Sequence, residues 1–313
     1  VPSPSQKASL SSSPRTSRLF RGRVAAIADL TPSFRRFTFA GDDLADFGDP
    51  GLDQRIKVIF ATPTAGLDAM PTGEDWYDRW RELPVDARPV FRTYTTRYVR
   101  RDAAGTEVDI DMVAHEVSGP ASEWIARARV GDEVMMWAPT TAHTGVSFGI
   151  DFVPPARTGE HLLVGDETAA PAIAVILEQL PAEATGVVVL EVPHADDTGY
   201  LPPHPGFAFR VASRGDGERN AHLLQAVTET AATLAPAGRG AEVEEIDIDH
   251  DILWEVPRTA KGGAALKSAP LYAWLAGEAS AIKTLRRHLV STVGVDRRAV
   301  AFMGYWRLGR AEN

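Results

Sequence analysis

The hydrophobic period of this chain changes once, near Pro154 and Pro155, and that change limits the folds open to it. Before it, apolar and polar residues alternate over short runs. Arg35, Phe37 and Phe39 alternate with Phe34, Arg36 and Thr38, and in Arg55–Ala61 the residues Ile56, Val58 and Phe60 face away from Lys57 and Ile59. A period of two marks half-buried strands. Strands are also expected over Leu19–Ile27, Val90–Val99, Glu107–Val113 and Gly131–Trp137, with short helices only near Glu74–Leu83 and Ser122–Ala128. Short strands separated by turns predict a small antiparallel barrel ending near Phe152. After the linker Val153–Gly159 the pattern differs. Apolar runs at His161–Val164, Gly186–Val192, Phe207–Ala212, Leu271–Ala276 and Val300–Gly304 alternate with helical stretches at Ala169–Leu180, Ala221–Leu234 and Ile282–Val293. That alternation predicts a parallel sheet with crossover helices. The expected organisation is a Ser- and Pro-rich disordered leader over 1–17, a β-barrel domain over 18–155 and an α/β domain over 156–313.

Composition narrows the function. With 33 basic against 42 acidic side chains the formal charge is −9, a balance that disfavours nucleic-acid binding. The chain has no cysteine, which excludes disulfides, a cysteine nucleophile and thiolate-held zinc or iron–sulfur clusters. No apolar stretch reaches the ~20 residues that span a bilayer, and the leader lacks a hydrophobic signal core. The cytoplasm is the expected location.

Four stretches can carry chemistry. The strand Arg92-Thr93-Tyr94-Thr95-Thr96-Arg97 places an aromatic ring between a guanidinium and hydroxyls, a set that can stack on a flat heterocycle and pair with phosphate. Pattern alone favours an ordinary barrel strand here. In Val108–Trp124 a strand runs into a Gly119-Pro120 turn, where Ser122 is expected to cap a helix whose free amides suit a pyrophosphate; most capped helices bind nothing. Beside the RTYTTR strand this becomes a plausible flavin-dinucleotide site. Leu163–Pro171 follows the first strand of the expected parallel sheet, with Thr168 as N-cap and small Ala169 and Ala170 admitting a ligand, where α/β domains bind nucleotides. At the C-terminus, Gly277-Glu278-Ala279-Ser280 opens another helix, and the last strand presents Tyr305, Trp306, Arg307 and Arg310 to a cofactor ring or an anion; a hydrophobic seal between domains is the alternative. No G-x-G-x-x-G or phosphate-binding loop occurs. The histidines show no metal spacing, and Asp247–Asp251 lacks the glycine and glutamate of a calcium loop.

In this order, RTYTTR, DIDMVAHEVSGPASEW, GDETAAPA and AGEAS…RRHL…GYWRLG resemble the siderophore-interacting protein family, the FAD-dependent ferric-siderophore reductases, over about Arg18–Arg310. The resemblance implies a ferredoxin reductase-like pair of domains: a six-stranded-type antiparallel flavin-binding barrel, then a nucleotide-binding α/β domain. It implies that Arg92, Thr93, Tyr94 and Thr95 hold the flavin. Asp111, Val113 and His115 of the next strand, with Gly119, Pro120, Ala121 and Ser122 of the following turn, would hold the rest of the FAD. Asp166, Thr168, Ala169, Glu278, Tyr305, Trp306 and Arg307 would form the pyridine-nucleotide side. Lys57, with Arg307 and Arg310, would attract the anionic ferric siderophore.

The implied reaction passes electrons from NADH or NADPH, or from reduced ferredoxin, through FAD to Fe(III), releasing Fe(II). Alternatives are a general flavin reductase or electron-transfer module, and a non-catalytic siderophore-binding flavoprotein. Residues choosing NADH over NADPH are expected around Pro193–Asp197, and a monomer is the expected state. The segment Ala241–Ser268 is longer than the resemblance leads one to expect.

Overall fold

The computed structural model describes residues 16–114, 119–144, 149–234 and 253–309. The first half contains β1 (Ser17–Asp29), β2 (Phe34–Ala40), β3 (Arg55–Phe60), α1 (Trp76–Glu82), β4 (Val90–Thr95), β5 (Tyr98–Asp102), β6 (Gly105–Val113), α2 (Pro120–Arg127) and β7 (Glu133–Pro139). The strands form one antiparallel sheet in the order β4-β3-β7-β1-β2-β6-β5. Its inner face collects Phe20, Phe37, Phe39, Ile56, Val58, Phe60 and Ile110, all nearly or fully buried. Ile59 faces outward and packs with Trp76 and Trp80 of α1, so the alternation along β3 separates two hydrophobic layers.

The stretch expected as a single strand from Val90 is broken at Thr96-Arg97. The Thr96 amide donates to Gln54 O at 3.0 Å, just ahead of β3, and the Arg97 amide donates to Asp109 O of β6 at 2.9 Å. One bent segment therefore supplies both ends of the strand order, and the sheet curls closed upon it. Counted as one strand, β4 and β5 make a six-stranded barrel. No glycine or proline marks the bend, which is why periodicity missed it.

The second half contains β8 (Arg157–Asp166), α3 (Ala170–Gln179), β9 (Gly186–Val192), β10 (Phe207–Ser213), α4 (Ala221–Leu234), β11 (Trp254–Glu255), β12 (Ser268–Glu278), α5 (Ala279–Arg287) and β13 (Val300–Trp306). Their order is β10-β9-β8-β12-β13-β11. Five strands are parallel as expected, but the short β11 runs antiparallel to β13, so the sheet is mixed. Two residues are too few to leave a readable period. Helices cover both faces. Ile173 and Ile176 of α3 join Leu163, Val188 and Trp274 on one side, while Val227, Ile282 and Leu285 of α4 and α5 join Leu162 and Val164 on the other. Strand order reverses between β8 and β12, and a crevice at such a switch point, beyond the carboxyl ends of the strands, is where open α/β sheets take ligands.

Buried polar groups tie the two sheets together. Asp197, after β9, accepts from the hydroxyl of Thr31 and from the amide and hydroxyl of Ser33 at 2.6–2.9 Å. The Tyr200 hydroxyl donates to Asp111 of β6 at 2.6 Å, and its ring stacks on Phe34 with centroids 4.0 Å apart. Asp53 accepts from the amides of Asp151 and Phe152 in the linker and from the indole nitrogen of Trp274 on β12. Burial pushes the Asp53 carboxyl up to about 6, with the Asp151 carboxylate adding to the effect.

A raised carboxyl favours the fold when protonated, so its contribution is complete below about pH 4 and is lost as the pH rises through about 6. The stability of the wild type relative to Asp53→Asn should therefore fall by roughly 2.5 kcal/mol between pH 4 and pH 7. Chemical denaturation of both proteins across that range measures it, and parallel pH profiles would show that Asp53 does not titrate there.

Candidate functional site

The RTYT strand forms one wall. In the β3–β4 register Lys57 lies opposite Thr93, Ile56 opposite Tyr94 and Arg55 opposite Thr95. Lys57 Nζ donates to Thr93 Oγ1 at 2.7 Å and sits 5.4 Å from the centre of the Phe91 ring. Tyr94 is half-buried against the barrel core and meets Phe60 edge-on, with centroids 6.3 Å apart. Thr95 is buried, while half-buried Arg92 donates to the Phe91 carbonyl. Helix α2 rests on the same core, because Trp124 packs on Phe60 at 4.9 Å and on Phe37 at 5.2 Å. The strand and the helix start are thus positioned by shared aromatic packing.

That helix starts two residues earlier than expected. Gly119 is the N-cap and Pro120 opens the helix, a position where the missing N–H costs nothing. Ser122 is not the cap. It sits at the third helical position, where its hydroxyl donates to Gly119 O and accepts from Gly119 N at 2.9 and 3.0 Å. Ala121 is buried beneath the helix. His115 lies outside the described residues. Asp111 is committed elsewhere. Its fully buried carboxylate takes a two-pronged contact from Arg36 at 2.7 and 2.8 Å besides the Tyr200 hydroxyl, and Val113 packs toward the core of the second sheet.

Across the switch point the expected nucleotide residues converge on one carboxylate. Asp166, at the end of β8, accepts from the Thr168 amide (2.9 Å) and hydroxyl (2.5 Å), the Glu278 amide (2.9 Å) and the Trp306 indole nitrogen (2.7 Å). Because Thr168 turns back to Asp166, it does not cap α3; Ala169 takes that place and Pro171 is the second helical residue. Glu278 caps α5 instead, accepting from the amides of Ser280 and Ala281. Burial raises the Asp166 carboxyl, and the adjacent Glu167 carboxylate raises it further. Burial also opposes the charge on Glu167, but Arg214 outweighs it with bonds of 2.8 Å to both oxygens. Arg219 adds a third bond at 2.9 Å and lies 5.0 Å over the Trp306 ring.

Tyr305 points away from this cluster. Its ring stacks on Trp254 of β11 at 5.6 Å and meets Trp274 edge-on. Arg55 in turn covers Trp254 at 4.3 Å, so a continuous path runs from Thr95 through Arg55 and Trp254 to Tyr305. Sequence reasoning missed Arg55 and Trp254, although Arg55 shares a β3 face with Lys57. Half-buried Arg307 follows β13; Arg310 and Asp247–Asp251 lie outside the described residues. Among Pro193–Asp197, where nucleotide choice was expected, Asp197 is turned to the barrel. The Arg214 amide instead donates to Val192 O at 2.9 Å, bringing the next loop alongside.

Gly277 is required where it stands. Its φ is +150°, and a Cβ there would meet Asp166 Oδ2 at 2.8 Å. Gly277→Ala should cost about 2–4 kcal/mol, measurable by urea denaturation. A variant as stable as the wild type would mean that Asp166 yields freely.

Comparison with known proteins places the chain in a family. The family described as "Siderophore-interacting FAD-binding domain" matches residues 23–143, and that described as "Siderophore-interacting protein" matches residues 158–309. The Rv2895c protein of Mycobacterium tuberculosis is 30% identical over 92% of this chain and 90% of its own. The ferric vibriobactin reductase ViuB of Vibrio cholerae is 27% identical over 88% of this chain and 85% of its own. Among solved structures, the siderophore-interacting protein SipS from Aeromonas hydrophila aligns with a TM-score of 0.65 at 28% identity, covering 94% of this chain and 93% of its own. The ferredoxin reductase in carbazole 1,9a-dioxygenase shares the fold, with a TM-score of 0.56 at 14% identity over 93% of this chain and 70% of its own. By these matches, and by a curled barrel joined to a mixed sheet, the chain belongs to the siderophore-interacting protein family.

Proposed function

We propose that the protein is an FAD-dependent ferric-siderophore reductase that draws on NADH or NADPH and releases Fe(II) from the chelate. The observation that carries this reading is the pairing of Lys57 with Thr93, which sets an ammonium across from the strand of Tyr94 and Thr95. FAD, when bound, takes a hydride from a reduced nicotinamide and passes electrons singly to ferric iron.

The residues fit that group. Thr96 Oγ1, two residues beyond Tyr94, is buried and has no hydrogen-bond partner among the described residues, which leaves one hydroxyl at the bend for a ligand. Gly119 has open space where a Cβ would stand, so backbone amides at the start of α2 are open to a diphosphate. In this reading Arg92, Tyr94 and Thr95 hold the flavin, and Gly119, Ala121 and Ser122 lie against its phosphates. The loop Asp166–Ala169, with Glu278 and Trp306, receives the pyridine nucleotide. Tyr305, backed by Trp254 and Trp274, closes the apolar side. Lys57, with Arg307, lowers the energy of an anionic ferric chelate near the ring; the chain supplies position and charge, and no general acid is needed at the iron.

An absorbance spectrum of the purified protein, before and after NADH or NADPH under nitrogen and then with a ferric chelate, tests the reading. A flavin band that bleaches with the nucleotide and returns with the chelate supports it; a band that neither nucleotide bleaches would overturn it. Lys57→Ala should raise KM for anionic ferric chelates about 5- to 20-fold, as befits one partly shielded charge, with FAD content unchanged. An unaltered KM would remove Lys57 from this role.

A further inference from the structure

The strand that carries Tyr94 and Thr95 ends in an arginine whose side chain crosses to the other sheet. Arg97 is 7% exposed. Its guanidinium forks onto Glu178 in the last turn of α3, with Nη2 2.7 Å from Oε1 and Nη1 bonded to Oε2. The Tyr98 hydroxyl donates to the same Oε1 at 3.0 Å, and the guanidinium lies 4.2 Å over the Tyr98 ring. On its other side Nε is 3.5 Å from Asp111 Oδ2, an ion-pair contact without hydrogen-bond geometry. One residue further along α3, Gln179 Oε1 accepts from the Leu52 amide at 2.8 Å, in the loop leading to β3.

Helix α3 is thus gripped by the barrel at its C-terminal end, while its N-terminal end grows directly out of Asp166–Ala169. Its ten residues make a rod of about 15 Å between the two. The hydrogen bonds from Ser33 to Asp197 and from Trp274 to Asp53 hold the sheets together and do not end on α3.

We propose that Arg97 is a positioning residue: by its fork on Glu178 it fixes α3, and through α3 the seat of the nicotinamide relative to the ring held by Tyr94 and Thr95. This rests on the reductase reading above. Two parallel N–H···O bonds fix direction as well as distance, which an ammonium does not. A displacement of about 1 Å between reacting partners is enough to cost roughly 100-fold in rate.

The test uses Arg97→Lys, Glu178→Gln and the double variant of the full, FAD-loaded chain, and it separates two half-reactions by anaerobic stopped flow. Bleaching of the flavin by saturating NADH or NADPH should slow at least tenfold in each single variant, and no further in the double variant. Reoxidation of the dithionite-reduced protein by a ferric chelate should stay within twofold of wild type. The FAD dissociation constant, titrated on apoprotein, should stay within threefold. Equal slowing of both half-reactions, or weaker FAD binding in proportion, would make Arg97 a support of the barrel strand alone; unchanged bleaching would also overturn the proposal. Should Arg97→Lys not fold, Glu178→Gln, at a partly exposed side chain, carries the same comparison. If neither nucleotide bleaches the wild type, the reductase reading fails and this proposal falls with it.

Discussion

A guanidinium buried at the corner of the barrel organises much of this molecule. Arginine does not shed its proton in a protein, so Arg97 must meet negative charge wherever the chain folds it inward. The bend at Thr96-Arg97 closes the barrel by sending one segment to both ends of the strand order, and the same bend turns Arg97 toward Glu178 and Asp111. Asp111 in turn is shared with Arg36 and Tyr200. Closure of the first sheet and one of the contacts that dock the second therefore meet at a single corner. The apolar contacts nearby, Phe34 on Tyr200 and Val113 against the second core, enclose a network that would be weak in open water.

The two walls of the site follow different physical rules. On the barrel side, position comes from aromatic packing, with Phe60 touching both Tyr94 and Trp124. On the sheet side, it comes from hydrogen bonds gathered by Asp166, which joins the ends of β8, β12 and β13 through Thr168, Glu278 and Trp306. A buried carboxylate at the end of one strand that draws donors from two others and from its own following loop holds those ends in mutual register more tightly than side-chain packing alone would. Arg55 over Trp254 is where the walls meet.

Most of the architecture was legible in the sequence because burial imposes period. Alternation in Arg55–Phe60 reflects the two layers that β3 separates, and the helix over Ala221–Leu234 falls where its apolar residues put it. What escaped was set by partners distant in the chain. Ser122 and Thr168 are good capping residues by type, yet Gly119 and Ala169 cap, since Ser122 answers Gly119 from within the helix and Thr168 is drawn to Asp166. Asp111 resembles a ligand-binding residue by its place in a motif, whereas the fold spends its charge on Arg36. The two-residue β11 and the turn of Asp197 toward Ser33 depend on neighbours more than a hundred positions away, or nearly fifty for β11, and leave no local pattern.

The polar character of the seam also bears on modular exchange. A purely apolar interface tolerates a related partner of roughly the right shape, but one built on Arg97 with Glu178, Ser33 with Asp197 and Asp53 with Trp274 is keyed pair by pair. Halves recombined between relatives would bury unmatched charge unless each lock travelled with its key, so the two halves of such a chain are constrained to diverge together.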